Sequence, residues 1–312
     1  MVHTLFFRQI LRIGVIVAIL CGVVALQHPD TTFAVDNSTK GLTVSPLRTE
    51  ITVDPGTSQD QTLTLKNTND RPISVRLTAE EFSVINQQYD YAFNTETQLI
   101  KWVTFTPDTL DIAVGETKKA TFRIGVPLTA EPGGRYLSLF ASTKTGTSSD
   151  GAESLQRVAS LVYITVNGDV SRSGNLVSLN APWITTGPNS WSIALQNTGT
   201  THYHSRYNVV IQSLFGGNDV AGMNGSALIL PGTVRLVSDA LPLPPGPGIY
   251  KAIYTIGLGD TPARVETRYL IYLPPVAIIV SLFSLILITS LISEYRSRKR
   301  KKSNRSEEQP YK

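Results

Sequence analysis

From Gly41 onward the chain alternates apolar and polar positions with a period of two. Ile51 and Val53, Leu63 and Leu65, and Ile73, Val75 and Leu77 each stand between polar neighbours, as strands that bury one face require. Asp54-Pro55-Gly56 and Asn67-Thr68-Asn69-Asp70-Arg71-Pro72 separate these runs with turn chemistry: Pro fixes φ, and Gly or Asn tolerates a positive one. The phrasing returns in Trp102-Val103-Thr104-Phe105, Leu110-Asp111-Ile112, Gly115-Glu116 and Thr121 to Val126. Pro132-Gly133-Gly134-Arg135-Tyr136 then leads into a strand over Leu137 to Thr143, followed by a polar loop from Lys144 to Glu153. Arg157 to Asn167 is apolar with little alternation, which predicts a central strand covered on both faces and closing a first domain.

A second set of strands follows: Leu176 to Leu179, Trp191 to Leu195 and Tyr207 to Phe215, with a hairpin turn at Gly216-Gly217-Asn218-Asp219. Pro247-Gly248-Ile249-Tyr250 then opens Ala252 to Leu258, echoing the Pro-Gly-x-Tyr entry of the first domain. The predicted fold class is all-β, with two tandem immunoglobulin-like β-sandwiches at 35–167 and 168–270.

Two apolar runs break the strand pattern. Arg8 and Arg12 precede Ile13 to Leu26, and Thr32-Phe33-Ala34 ends the stretch, so residues 1–34 predict a secretion signal cut after Ala34. Cys21, the single cysteine, would leave with it, and Leu20 is not the small residue that lipid attachment needs. Val276 to Ser293 carries no charge, and a transmembrane helix is expected over 271–293, the stretch back to Tyr269 adding length. Arg296, Arg298, Lys299, Arg300, Lys301, Lys302 and Arg305 follow as a basic tail over 294–312, which predicts a cytoplasmic side. The expected localisation is a single-pass cell membrane protein with its large N-terminal part outside.

Charge changes the picture only at the ends. The sequence has 28 basic and 24 acidic residues, but residues 35–275 hold 18 and 20 of these, a net of −2. No nucleic-acid partner is expected, because the excess positive charge adjoins the span.

Catalytic motifs are missing from the sequence: there is no Gly-x-Ser-x-Gly, His-Glu-x-x-His or phosphate loop. Glu80 and Glu81 point to opposite faces of a strand and predict a solvated strand end rather than an acid–base pair. His202 and His204 share a side at spacing two, yet lack neighbouring third and fourth ligands, so exposed turn residues are expected and no metal or cofactor. Tyrosines on loops give contact area at low entropic cost, although core packing is the commoner use of aromatics. Tyr89, Tyr91, His202, Tyr203 and His204 are the candidate partner-binding residues, and no enzyme activity is expected.

A family resemblance rests on Leu63-Thr64-Leu65-Lys66-Asn67-Thr68-Asn69-Asp70, on Val126-Pro127 followed by Gly133-Gly134, and on Leu195-Gln196-Asn197-Thr198-Gly199-Thr200-Thr201-His202. With the layout of signal, two cysteine-free sandwiches, one span and basic tail, the whole chain resembles the WxL-interacting proteins of Gram-positive bacterial surfaces. Thr200 stands where that family has Asn. The resemblance implies a non-enzymatic adhesion or scaffold module whose first domain binds peptidoglycan, a cell-wall polymer, and whose second binds surface proteins. The same strand phrasing is similar to the first half of pilus-assembly chaperones. That alternative implies a membrane-tethered chaperone adding a strand to its client, with a cationic pair such as Arg76 and Lys119 holding the client's carboxylate.

Overall fold

The computed structural model describes residues 41–147 and 153–307, so the expected signal, its cleavage site and Cys21 lie outside the described residues. The first group of strands is β1 (Leu42–Ser45), β2 (Arg48–Val53), β3 (Ser58–Asn67), β4 (Ile73–Val84), β5 (Tyr91–Asn94), β6 (Val103–Thr106), β7 (Thr109–Ile112), β8 (Thr117–Gly125), β9 (Gly133–Thr147) and β10 (Glu153–Val166). One sheet runs β1-β3-β8-β6; the facing sheet runs β2-β10-β9-β4-β5, with β7 on the other part of β4. Their inner faces meet in a core that includes Leu63, Leu65, Val75, Ile112, Phe122, Ile124, Leu137, Leu139, Val162 and Ile164. The alternation of Phe122, Ile124 and Val126 is thus an inward face, all three side chains being buried. Gly56 (φ 78°) and Gly115 (φ 73°) make the two tight turns, in a backbone region that disfavours a side chain.

The second group is β11 (Gly174–Asn180), β12 (Ile184–Thr185), β13 (Ser190–Asn197), β14 (Tyr203–Ser213), β15 (Asp219–Ile229), β16 (Val234–Ala240), β17 (Gly248–Leu258) and β18 (Thr261–Tyr272). It forms the sheets β11-β13-β16 and β12-β18-β17-β14-β15 around a core with Trp191, Ile193, Leu195, Val209, Ile211, Tyr254 and Ile256. The repeated Pro-Gly-x-Tyr entry has a structural counterpart. Gly133 opens β9 and Gly248 opens β17, each an interior strand of the larger sheet of its sandwich. The fold is a tandem of immunoglobulin-like β-sandwiches followed by one apolar helix.

That helix, α1 (Pro275–Glu307), contains 23 residues, Pro275–Ser297, long and apolar enough to cross a membrane. At 1.5 Å per residue they reach about 34 Å, enough for a hydrocarbon core of about 30 Å. Two expectations shift here. Tyr269 to Tyr272 belong to β18, so the helix begins four residues later than the expected 271. The cause is Pro274-Pro275: neither has an N–H to donate, and the fixed φ of Pro275 suits the first helical position. The expected loop from Lys144 is shorter too, since β9 continues to Thr147 in register with β10.

Two further expectations are corrected. Glu80 is not at a solvated strand end: it is 8% exposed and ion-pairs with Arg157, whose guanidinium lies 3.3 Å from the centre of the Phe140 ring. Arg76 and Lys119 do not converge. Arg76 alternates with inward Val75 and Leu77 on β4, and Lys119 precedes inward Ala120 on β8, so the two cations project from opposite outer faces of the first sandwich.

Candidate functional site

The sheet β2-β10-β9-β4-β5 has polar residues and aromatics on its outer face, and the second sandwich covers part of that face. On β2, inward Ile51 and Val53 leave Arg48, Glu50 and Thr52 facing out. Parallel pairing places Tyr163 beside Glu50 and Thr165 beside Thr52, and antiparallel pairing places Tyr136 beside Tyr163. Phe82, Tyr89, Tyr163, Leu228 and Leu230 bury one another in a third apolar cluster that draws on both sandwiches. This contact explains the unalternating sequence of β10, because Val162 and Ile164 face the first core while Tyr163 is covered from outside.

The loop before β5 supplies the anchor. Asn86 bonds Asp90 through both side chain and backbone, and within this turn Tyr89 takes a left-handed φ of 68°. Its ring is 6% exposed, with Arg235 4.4 Å from the ring centre. Tyr89 Oη accepts the Leu230 N–H at 2.8 Å and pairs with Thr233 Oγ1 at 2.8 Å, and the Leu236 N–H donates to Gln87 O. Burial raises the Tyr89 pKa, which keeps the hydroxyl protonated. The expectation of Tyr89 as exposed contact area is therefore corrected: it packs inward. Tyr91 is half-buried in the same cluster, edge-on to Phe82 at 5.2 Å.

Of the other three candidates, His202 and His204 meet at Glu50, and Tyr203 lies between them in the chain. Tyr203, the first residue of β14, points into the second core and is 4% exposed, its pKa pushed up to about 12 by burial. His202 and His204 flank it and both reach the first sandwich, as their spacing of two requires. His204 Nε2 lies 2.9 Å from Glu50 Oε1, and His202 Nε2 lies 4.0 Å from Glu50 Oε2. His202 is not an exposed turn residue: it is 7% exposed, edge-on to Tyr136 with ring centres 5.6 Å apart, and its Nδ1 lies 3.4 Å from Tyr136 Oη. Burial is the first cause of a pKa lowered to about 4, which the Glu50 carboxylate opposes. His202 is therefore neutral at pH 7.

Above this contact lies an open cleft of about 310 Å³, lined by Glu50, Thr52, Arg172, His204 and Asp260 among others. Charges of both signs border it. The Thr201 hydroxyl, 3.5 Å from His202 Nδ1, is fully buried and bonded to Thr165 Oγ1 at 3.1 Å, so a substrate has no path to it. Among the described residues no three His, Cys, Asp or Glu side chains are arranged to hold a metal ion. The polar side chains that line it include Arg172, His204 and Asp260.

Sequence reasoning found His202 and His204 but missed Glu50, Arg172 and Asp260. Glu50 looked like any outward residue of an alternating strand. Its importance comes from a partner more than 150 positions away, and no local signal marks it.

No protein-family model and no curated protein sequence matches the chain. Solved structures with a similar fold include a class 5 fimbriae chaperone, 8% identical, with a TM-score of 0.39 over 73% of this chain and 99% of that one. A chain of a chaperone–tip adhesion subunit pre-assembly complex from archaic chaperone-usher Csu pili of Acinetobacter baumannii is 10% identical. Its TM-score is 0.36, over 75% of this chain and 99% of that one. The Pseudomonas aeruginosa CupB2 chaperone is also 10% identical, with a TM-score of 0.35 over 72% and 99%.

Proposed function

We propose that the chain is a non-enzymatic, membrane-anchored surface module whose sandwiches, 35–167 and 168–270, bind a wall polymer such as peptidoglycan or another surface protein. The carrying observation is the open polar cleft beside the Glu50–His204 pair, which is lined by Arg172, His204 and Asp260. Binding through such a cleft rests on a few side chains of mixed charge rather than on the whole surface. The WxL-interacting resemblance agrees with this reading. Arg172, His204 and Asp260 replace the buried Tyr89 and Tyr203 as the contacts to test. α1 holds the module in the membrane, with the basic tail inside.

The test is capture of the Thr39–Leu273 unit on purified peptidoglycan and, in parallel, from detergent-solubilised envelope proteins. Replacing both Arg172 and Asp260 with Ala should weaken capture about tenfold or more while leaving the fold intact. Unchanged capture removes the cleft as the site, and time-dependent cleavage of the polymer removes the non-enzymatic reading.

One feature favours strand addition as a second reading. β2 pairs with β10 only over Leu161 to Val166, so among the described residues Leu155 to Ser160 have a ladder partner, β9, on one side alone. Residues 41–46 run beside this edge, where Gln156 Oε1 accepts the Leu42 N–H and the Ser160 hydroxyl donates to Pro46 O, so a client strand adds there through backbone hydrogen bonds only by displacing them. Hydrogen exchange decides it: a client strand bound there protects the amides of Leu155 to Ser160, and a ligand in the cleft does not.

A further inference from the structure

The end of the second sandwich from which the chain continues toward α1 lacks charge and exposes large apolar side chains. Four segments converge there by register. Ser213 of β14 pairs with Tyr250 of β17, Gly248 pairs with Tyr272 of β18, and Ile184 of β12 pairs with Ile271. In the smaller sheet Ser190 pairs with Ala240, and the Leu241 N–H donates to Asn189 O. The loops 181–189, 213–218 and 240–248 therefore surround Tyr272 at one rim, and none of them contains Asp, Glu, Lys or Arg. The segment from Tyr269 to Pro275 is uncharged as well.

At this rim Phe215 is 81% exposed, Trp183 68%, Tyr269 61% and Ile249 43%. The two other tryptophans behave differently, Trp191 being fully buried and Trp102 half-buried. Exposed aromatics on uncharged, proline-rich loops are costly in water but suit the boundary between headgroups and acyl chains. There an amphipathic ring buries its apolar body and keeps its polar edge hydrated. Only Leu273 and Pro274 separate β18 from α1 in the chain, so a bilayer crossed by α1 is within reach of this rim.

We propose that this rim is a membrane-docking surface, with Trp183, Phe215, Ile249 and Tyr269 entering the interfacial layer of the phospholipid bilayer. The occupant is the lipid surface itself rather than a protein or a second copy, because the chain delivers the rim to that surface. The attraction is apolar. It needs no anionic lipid: the loops hold no cation, although Lys251 stands beside the docking residues as the ladder partner of Tyr269. Docking of this kind would hold the cleft at a set height and orientation instead of leaving the sandwiches free on a tether. The inference rests on the membrane-anchored reading, and its test separates the two.

The full chain is reconstituted into phosphatidylcholine vesicles that carry bromine near the headgroup end of the acyl chains. Flotation comes first: a chain that does not float with the vesicles overturns the anchor and the docking together. For floating protein, the difference between wild type and Trp183→Phe isolates the Trp183 emission, with buried Trp191 as an internal reference for folding. The expected result is a blue-shifted Trp183 quenched about twofold or more by the bromines. The quenching should be the same when phosphatidylglycerol is added and when salt is raised. Phe215→Asp should lift the rim and reduce the quenching while Trp191 emission stays constant. Floating, folded protein whose Trp183 emits as in water and ignores the bromines overturns the docking and leaves the anchor standing. A Trp183 shielded from both bromine and aqueous acrylamide overturns it in favour of a protein occupant.

Discussion

Two asparagines perform the same task in the two sandwiches, and each ends a motif visible in the sequence. Asn67 and Asn197 close β3 and β13 and are fully buried. The Asn67 amide donates to Ile112 O and Arg71 O, and its carbonyl accepts the Asn69 N–H. The Asn197 amide donates to Ile229 O and Thr201 O, and its carbonyl accepts the Gly199 N–H. Each side chain thereby ties its own turn to a strand end on the facing sheet. Asn197→Ala would take the buried amide donor from the Ile229 and Thr201 carbonyls, while the Gly199 N–H keeps Ser173 O, at about 2–5 kcal/mol, read as a lower urea midpoint of the Thr39–Leu273 unit. His202 gives a pH dependence of fixed sign. Its pKa is lowered to about 4 in the folded state, so below the usual value near 6.5 the unfolded chain binds the extra proton. Stability is complete above that usual value and falls as pH drops toward 4, by about 3 kcal/mol. Urea midpoints at pH 7 and pH 4.5 check this, and His202→Gln should flatten the difference.

Strands were legible where one face is buried and the other is wet. β3, β4 and β8 follow their alternation because Leu63, Val75 and Ile124 have to leave water while their neighbours stay in it. Ile124→Ala should cost about 2–5 kcal/mol in the same unfolding measurement, and a loss below about half a kcal/mol would contradict the register. The start of β14 was not legible. Tyr207 marked the strand, yet it begins at Tyr203, because Tyr203, Ser205 and Tyr207 face the second sandwich while His202 and His204 face the first. A strand between two different partners shows no simple polar face. The same holds at Phe82, which sits on the outer face of its sheet and is nevertheless 2% exposed.

The whole molecule depends on how its two sandwiches are joined. Tyr89 ties the joint in two ways, with its ring in the shared cluster and its hydroxyl on Leu230 and Thr233. Tyr89→Phe strands the Leu230 N–H and should cost about 1–3 kcal/mol. Tyr89→Ala should go further and split a single cooperative unfolding transition into two, seen by calorimetry of the Thr39–Leu273 unit. The Glu50–His204 contact adds little by comparison, because both side chains are more than a third exposed to water. In the cell, reporters fused at residues 150 and 305 should read outside and inside. An inside signal at residue 150 would end the anchored reading.

The sequence by itself determined the class of the molecule: alternating strands, turns at Gly and Pro, two apolar runs near the ends, and no catalytic motif. These are local properties, written in the spacing of neighbouring residues and in the solvent each must meet. Only the tertiary structure decided which residues are free to act. It buried Tyr89 and His202, paired His204 with Glu50 across 154 positions, and separated Arg76 from Lys119 on opposite faces. It also gathered four uncharged segments around Trp183 and Phe215 at one rim. Period two states that a side chain has a face, but not which other surface comes to cover that face. That depends on how two sheets pack, and packing joins residues with no relation in sequence.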